Sequence, residues 1–324
     1  MSTRRRRAGW GRVAAAAALV AAIFWWADPA KVWQEVAGAD PVWLLAGLTA
    51  STLANIISAL RWRALASWLG HVIGVREAAG IYFRGVAINA LLPGAVLGGD
   101  VYRAVALHRR GQLAMEASLS VLLDRLSGLW MLIVLGVVSS AWGVAGGHFG
   151  VPVPEALRVI GSPLLALAAA LLLVAPVGAV LALRLMLRAQ SRGTDDNCAE
   201  WLVRAALIVR HHGAVRQYAL QLVASLAVQL LSIGAFGFAG LALGIDLPLW
   251  VWAAVAVPVF LMATLPVSFG GWGTREAGAV LALAMFAVPA APAVGASVVY
   301  GLFALVQAVF GGALLAAGGP RSAP

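Results

Sequence analysis

The chain has 324 residues, of which 62% are hydrophobic and 11% charged, against roughly a quarter charged in ordinary soluble domains. No water-soluble fold hides that much apolar surface, so the sequence reads as an integral membrane protein. A single cysteine, Cys198, excludes a secreted disulfide scaffold, and the net charge of +10 is spread through loops between apolar runs, which excludes a nucleic-acid-binding face.

Arg4, Arg5, Arg6 and Arg7 precede an apolar run from Val13 to Trp26. The stretch Trp25-Trp26-Ala27-Asp28-Pro29 is bulky where a signal-peptide cleavage site needs small residues. The run is therefore predicted to remain as a first helix whose start the arginines hold in the cytoplasm. A spanning helix needs about 20 largely apolar residues. Six stretches meet or approach that length: Trp10–Trp26, Val42–Leu60, Ala117–Trp142, Val159–Leu187, Tyr218–Leu243 and Ala293–Ala317. Two more are apolar but interrupted. Ala78–Gly99 is broken by Pro93-Gly94 and Gly98-Gly99; Leu249–Val288 is broken by Pro258, Pro266 and Gly270-Gly271-Trp272-Gly273.

Charge parity predicts how the interrupted pieces sit. The first is flanked by Arg61, Arg63 and Arg76 on one side and by Arg103, Arg109 and Arg110 on the other. Both flanks belong in the cytoplasm, so the piece enters and leaves on one side as a re-entrant hairpin. The flanks of the second, Gly244–Pro248 and Pro289–Pro292, carry no Lys or Arg. It is expected to re-enter from the opposite face. In this topology only Lys31 and Arg158 fall outside, while Arg84, Arg125 and Arg275 lie at membrane depth.

Between the fourth and fifth spans, Arg188–Arg216 carries Trp201, Leu202, Ala205, Ile208 and Val209 at helical spacing. That predicts an interfacial amphipathic helix on the cytoplasmic leaflet. His211-His212 reads as a surface pair, because two adjacent histidines without further ligands do not make a metal site.

The two interrupted pieces share wording. One reads Leu92-Pro93-Gly94-Ala95-Val96-Leu97-Gly98-Gly99-Asp100-Val101-Tyr102-Arg103; the other reads Leu265-Pro266-Val267-Ser268-Phe269-Gly270-Gly271-Trp272-Gly273-Thr274-Arg275-Glu276. Each is Leu-Pro, a spacer, Gly-Gly, then Arg four positions after the second glycine. The offset of 172 positions is close to half the chain. Paired Pro/Gly-broken segments of opposite direction are the signature of inverted-repeat transporters, where they meet near the midplane and form the substrate site. Proline removes a backbone donor and glycine lets the chain leave the helix. A helix restarting after Gly-Gly aims free N–H groups into the cavity. With Arg103 and Arg275 added, the site suits an anionic oxygen such as phosphate.

The fold expected is an all-α polytopic membrane protein: about six full spans plus two re-entrant broken hairpins in an inverted-topology repeat. It forms one membrane domain over residues 1–324, with a half at 10–187, the linker at 188–216 and a half at 217–318. Candidate substrate-binding residues of the first half are Arg84, Asn89, Pro93, Gly98, Gly99, Asp100, Arg103, Asp124 and Arg125. Those of the second are Pro266, Gly270, Gly271, Gly273, Arg275 and Glu276. Each charge at the bilayer centre costs about 2.5–3.5 kcal/mol on an insertion scale. Asp124 and Arg125 point about 100° apart on a helix, so Asp124 is expected to pair with another element, through Arg84 or Arg103.

At Leu92-Pro93 through Arg103, Leu122-Leu123-Asp124-Arg125-Leu126 and Gly270-Gly271-Trp272-Gly273-Thr274-Arg275-Glu276 the chain resembles the lysylphosphatidylglycerol synthase transmembrane region, a flippase-like membrane domain family. The middle motif of that family usually carries Glu-Arg where this chain has Asp124-Arg125. The resemblance implies movement of a polar lipid between leaflets. Fused members carry a C-terminal soluble domain that transfers the aminoacyl group; the sequence ends at Pro324, so that transfer is not expected of it.

Two functions are weighed. One is a translocator of a lipid with an anionic headgroup, moved by rocking of the repeats, in a bacterial-type inner membrane with both termini cytoplasmic. The other is a non-transporting partner of a separate lipid-modifying enzyme. No enzymatic activity, cofactor, metal or nucleic-acid partner is expected, since neither a P-loop nor a Ser/His/Asp or Cys/His cluster is evident. The topology is checked at Cys198. An impermeant thiol reagent is expected to leave it unmodified in intact cells and to label it after lysis; labelling from outside overturns the orientation.

Overall fold

The computed structural model describes residues 29–91, 97–146, 155–190, 213–265 and 271–317. Its elements are helices: α1 (Pro29–Ala37), α2 (Pro41–Trp68), α3 (Val75–Leu91), α4 (Gly98–His108), α5 (Ala114–Gly146), α6 (Glu155–Gln190), α7 (Ala214–Ala242), α8 (Leu249–Ala263), α9 (Thr274–Ala284) and α10 (Ala290–Ala317). Local chemistry sets several boundaries. Asp40 caps α2 by accepting from the Val42 N–H at 2.8 Å, and Pro41 fits the first turn, where no N–H is needed. Gly213, at φ 86°, precedes α7.

Five described helices are long and apolar enough to cross a membrane: α2, α5, α7, α10 and the Val159–Gly178 stretch of α6. They coincide with five of the six predicted spans. The sixth, Trp10–Trp26, lies outside the described residues, as do Cys198, His211, His212 and most of the predicted linker. One boundary differs in a way that matters. The sequence places Arg61 on a cytoplasmic flank after Leu60, but α2 continues to Trp68 and Arg61 is buried within it. Its charge is neutralised inside the bundle, so the helix need not stop there.

Each interrupted piece is a pair of short helices lying side by side. In the first, α3 and α4 are antiparallel: Gly85 faces both Gly99 and Arg103, while Asn89 faces Gly99. In the second, α8 and α9 are antiparallel, with Ala263 against Gly271 and Val259 against Gly278. The two pairs flank different stretches of α10. Phe83 of α3 touches Gly311, and Arg275 of α9 touches Gly301. Each pair rests on its own apolar core. Trp62, Ile81, Leu107 and Val121 pack around α3 and α4. Phe236, Trp252, Val259, Leu283 and Val294 pack around α8 and α9.

Among the described helices the most extensive contact joins α2 to α7. At one end of this seam the Asp40 N–H donates to the Ala242 carbonyl at 2.9 Å. Small residues let helices approach closely where lipid offers no hydrophobic drive for association. At Gly311 an added Cβ would stand 2.0 Å from the Phe83 carbonyl oxygen, whereas Gly80 on α3 has nothing within 4 Å of such an atom. Gly311→Ala is therefore expected to destabilise the protein by about 1–3 kcal/mol, the usual range for overpacking. Gly80→Ala should be neutral or slightly stabilising. Thermal unfolding of both variants in detergent checks this.

Candidate functional site

Asp124 lies within α5, 1% exposed, and a carboxylate there must find cations inside the protein. It finds two. Arg61 of α2 donates through Nε to Oδ1 at 2.9 Å, and Arg103 of α4 donates through Nη1 to Oδ2 at 2.8 Å. Arg61 also donates from Nη2 to the Asp124 carbonyl at 3.0 Å and from Nη1 to Ser225 Oγ of α7 at 3.0 Å. Arg103 continues the chain through Nη2 to Asp100 Oδ1 at 2.6 Å. Asp100 in turn accepts from Arg125 Nε on Oδ2 at 2.7 Å. Five charged side chains thus form one line: Arg61, Asp124, Arg103, Asp100, Arg125. Three guanidiniums against two carboxylates leave one positive charge in surplus.

Position along the line decides each residue's role. Arg61, Asp124 and Arg103 are buried, and the Arg103 guanidinium lies 4.8 Å from the Tyr82 ring centre and 5.3 Å from that of Trp62. Gln229 Nε2 donates to the Gly128 carbonyl at 2.8 Å, closing the α5–α7 side. Arg125 is different: its side chain is 47% exposed. The surplus charge therefore sits at the end of the network that is open.

That open end faces a cavity of about 270 Å³. The walls are Tyr82, Gly85, Val86, Asn89 and Ala90 of α3, Gly99, Asp100 and Arg103 of α4, and Arg125 of α5. Asn55 of α2, Ala304 of α10, and Ala263 and Thr264 at the end of α8 complete them. Both helix pairs thus border one polar chamber near the middle of α10. Asn89 Oδ1 accepts from the Gly99 N–H at 2.7 Å, so a side chain of α3 caps the restarting α4. Glycine is required at Gly99, where a Cβ would fall 2.1 Å from the Gly85 carbonyl oxygen. Asn55 also binds Gln307, whose Nε2 donates to Ser51 Oγ at 2.7 Å, linking α2 to α10 beside the chamber.

Several predicted site residues lie elsewhere. Arg84 donates through Nε to the Leu314 carbonyl at 3.1 Å and is not a wall of the chamber. Arg275 is buried and shares Glu276 and Ser297: Nη2 reaches Glu276 Oε1 at 2.9 Å and Nε reaches Ser297 Oγ at 3.1 Å. Its guanidinium lies 4.8 Å from the Trp272 ring centre. Glu276 also accepts from the Gly273 N–H, and both Gly271 and Gly273 have positive φ, 86° and 84°. This second cluster is neutral and does not line the chamber. Gly98 begins α4, while Pro93, Pro266 and Gly270 lie outside the described residues.

The register of the two motifs also differs in three dimensions. Arg103 is the sixth residue of α4, but Arg275 is the second of α9. The difference is about one helical turn. By helix position Asp100 corresponds to Glu276, each being third in its helix and acidic.

Sequence reasoning missed Arg61, Ser225, Gln229, Asn55, Gln307, Thr264 and Ser297. A signal was present for most of them, since polar residues inside apolar helices mark internal contacts. Among the described residues, no group of three or more His, Cys, Asp or Glu gathers as a metal site.

The sequence profile of the family described as "Lysylphosphatidylglycerol synthase TM region" matches residues 13–311. The chain belongs to this family. The match takes in every described helix except the last turns of α10, so the lysylphosphatidylglycerol synthase TM region is here a multi-pass helical membrane domain. No curated protein was found to match the chain.

Removing one partner from a buried ion pair costs about 3–5 kcal/mol. Asp124→Ala, which leaves Arg61 without a carboxylate and Arg103 with Asp100 alone, is expected to fall in that range. Arg110→Ala breaks the exposed pair with Glu77 and a bond from Nη1 to the Ala106 carbonyl, and should cost about 1 kcal/mol or less. Unfolding in mixed detergent, followed by tryptophan fluorescence, compares the two.

Proposed function

We propose that this protein moves a phosphate-bearing lipid between the leaflets of a bacterial-type inner membrane. The observation that carries this reading is a chamber bordered by both broken helix pairs, into which a charge network presents its one surplus positive charge. In this reading α3–α4 and α8–α9 are re-entrant pairs dipping from opposite faces, and the two halves form an inverted repeat with both termini cytoplasmic. Support comes from their antiparallel packing and from their attachment to different stretches of α10. The restarting helix α4 adds its positive dipole end to the chamber. Arg103 and Arg125 would hold the phosphate while the apolar tails stay in lipid, and Asn55, Asn89 and Thr264 offer neutral hydrogen bonds. Arg275 and Glu276 would act as a brace for α9. The chain would move its cargo without transforming it.

Membership of the lysylphosphatidylglycerol synthase family favours phosphatidylglycerol or an aminoacyl derivative as cargo. Reconstituted vesicles carrying fluorescent phosphatidylglycerol test the proposal by the rate at which a membrane-impermeant quencher gains access to inner-leaflet label. Exchange faster than in protein-free vesicles is expected, with at least about a tenfold loss in Arg103→Ala, equivalent to about 1.4 kcal/mol. No acceleration with any anionic lipid overturns it. An inserted Arg103→Ala protein that keeps its cellular role would point instead to a scaffold for a separate lipid-modifying enzyme.

A further inference from the structure

Arg125 lies on two surfaces at once. It is a wall of the chamber, its side chain is 47% exposed, and its position on α5 falls within the helix's exposed arc. Its neighbours on that outer face are Leu122, Leu126 and Leu129, all exposed. Their spacing of three and four residues places them in one stripe with Arg125 inside it. On the adjoining α4, Val101 and Val105 are exposed one turn apart, and Leu97 extends the same face. The two helices are antiparallel here, clasped by Arg103–Asp124 and Arg125–Asp100. The chamber therefore reaches the flank of the molecule at an arginine framed by aliphatic side chains.

Depth fits a lipid headgroup. Arg125 is about 17 Å along α5 from Ala114 at 1.5 Å per residue, and the 33-residue helix is about 50 Å long. Centred on a hydrocarbon layer of about 30 Å, it places Arg125 about 7 Å beneath the layer's edge. An arginine at that depth snorkels toward the phosphates. A soluble anion would have to cross apolar side chains to reach this flank; a lipid already lies against them.

We infer that the α4–α5 flank is a lateral portal through which an anionic phospholipid enters the chamber from the bilayer. The inference rests on the translocator reading and specifies its route. The lipid phosphate displaces Asp100 Oδ2 from Arg125, and Asp100 keeps its bond to Arg103. The acyl chains stay on the strip formed by Val101, Val105, Leu122 and Leu126.

Photo-crosslinking of the full chain tests this. The photoreactive residue p-benzoylphenylalanine is placed singly at Val101, at Leu126 and, as a control on α6, at Leu167. The protein is reconstituted in vesicles of one part phosphatidylglycerol to three parts phosphatidylcholine. Mass spectrometry then gives the ratio of the two lipid adducts at each position. At Val101 and Leu126 the ratio of phosphatidylglycerol to phosphatidylcholine adducts is expected to exceed the bulk ratio about fivefold, the preference one arginine confers near a membrane surface. Leu167 should report the bulk ratio. Arg125→Gln should abolish the enrichment and Arg125→Lys should retain most of it. Soluble glycerol 3-phosphate should not reduce it; competition by that anion would assign the site to a water-borne ligand and overturn the portal. A bulk ratio at both flank positions in the otherwise unchanged protein overturns it as well. Because this readout needs no transport, enrichment without lipid exchange would sink the translocator and leave the portal, whereas exchange without enrichment would do the reverse.

Discussion

Arg61 and Arg103 come from two different helices to meet Asp124 on a third. In water such a meeting would contribute little; in a bilayer it is a condition for the carboxylate's being there at all. Every oxygen of Asp124 that has been turned away from water is answered by a guanidinium, and Arg61 is answered in turn by Ser225 on a fourth helix. The network thus fixes how α2, α4, α5 and α7 can sit together. Apolar packing alone would allow many rotations of these helices, because lipid-facing and helix-facing surfaces are chemically alike. One arrangement brings the charges into register.

The chamber follows from that constraint. With Arg103 drawn toward Asp124, α4 is held against α5, and its first turn is left to be capped by Asn89 across the α3–α4 gap. The near-contact of Gly85 with Gly99 brings the backbones so close that no side chain fills the space beside them. The end of α8 supplies Ala263 and Thr264 as the facing wall. Stability and binding geometry therefore depend on the same atoms. Asp124 is too deep to touch a ligand, but it aims Arg103, whose partner Asp100 in turn restrains Arg125.

Much of this was legible in the sequence. Long apolar runs show as α2, α5, α6, α7 and α10, since nothing but lipid or protein can cover them. The breaks at Gly98-Gly99 and Gly271–Gly273 also show, because glycine and proline act through local backbone chemistry. That Asp124 pairs with another element was legible from the cost of leaving it alone, with Arg84 and Arg103 as candidates; the structure gives Arg103 and the unexpected Arg61, while Arg84 turns to the Leu314 carbonyl. What was not legible depends on rotation and register. Arg61 looks like a flank charge until α2 is seen to continue and turn it inward. Arg103 and Arg275 match as text, yet they occupy different turns of their helices, because the linear motif does not say where a helix restarts. Nothing in the composition tells a guanidinium that faces a chamber from one closed off by Glu276 and Ser297.

The α2–α7 contact has a mechanical meaning. α2 belongs to the first half of the chain and α7 to the second, yet among the described helices theirs is the most extensive contact. Swinging the halves apart as rigid blocks would tear this seam, including the Arg61–Ser225 bond. Displacing α3–α4 alone would have to break the Arg103–Asp124 and Arg125–Asp100 bonds that hold α4 to α5. The frame of the molecule is therefore woven across its sequence midpoint, and a swing of one half against the other works against that weave.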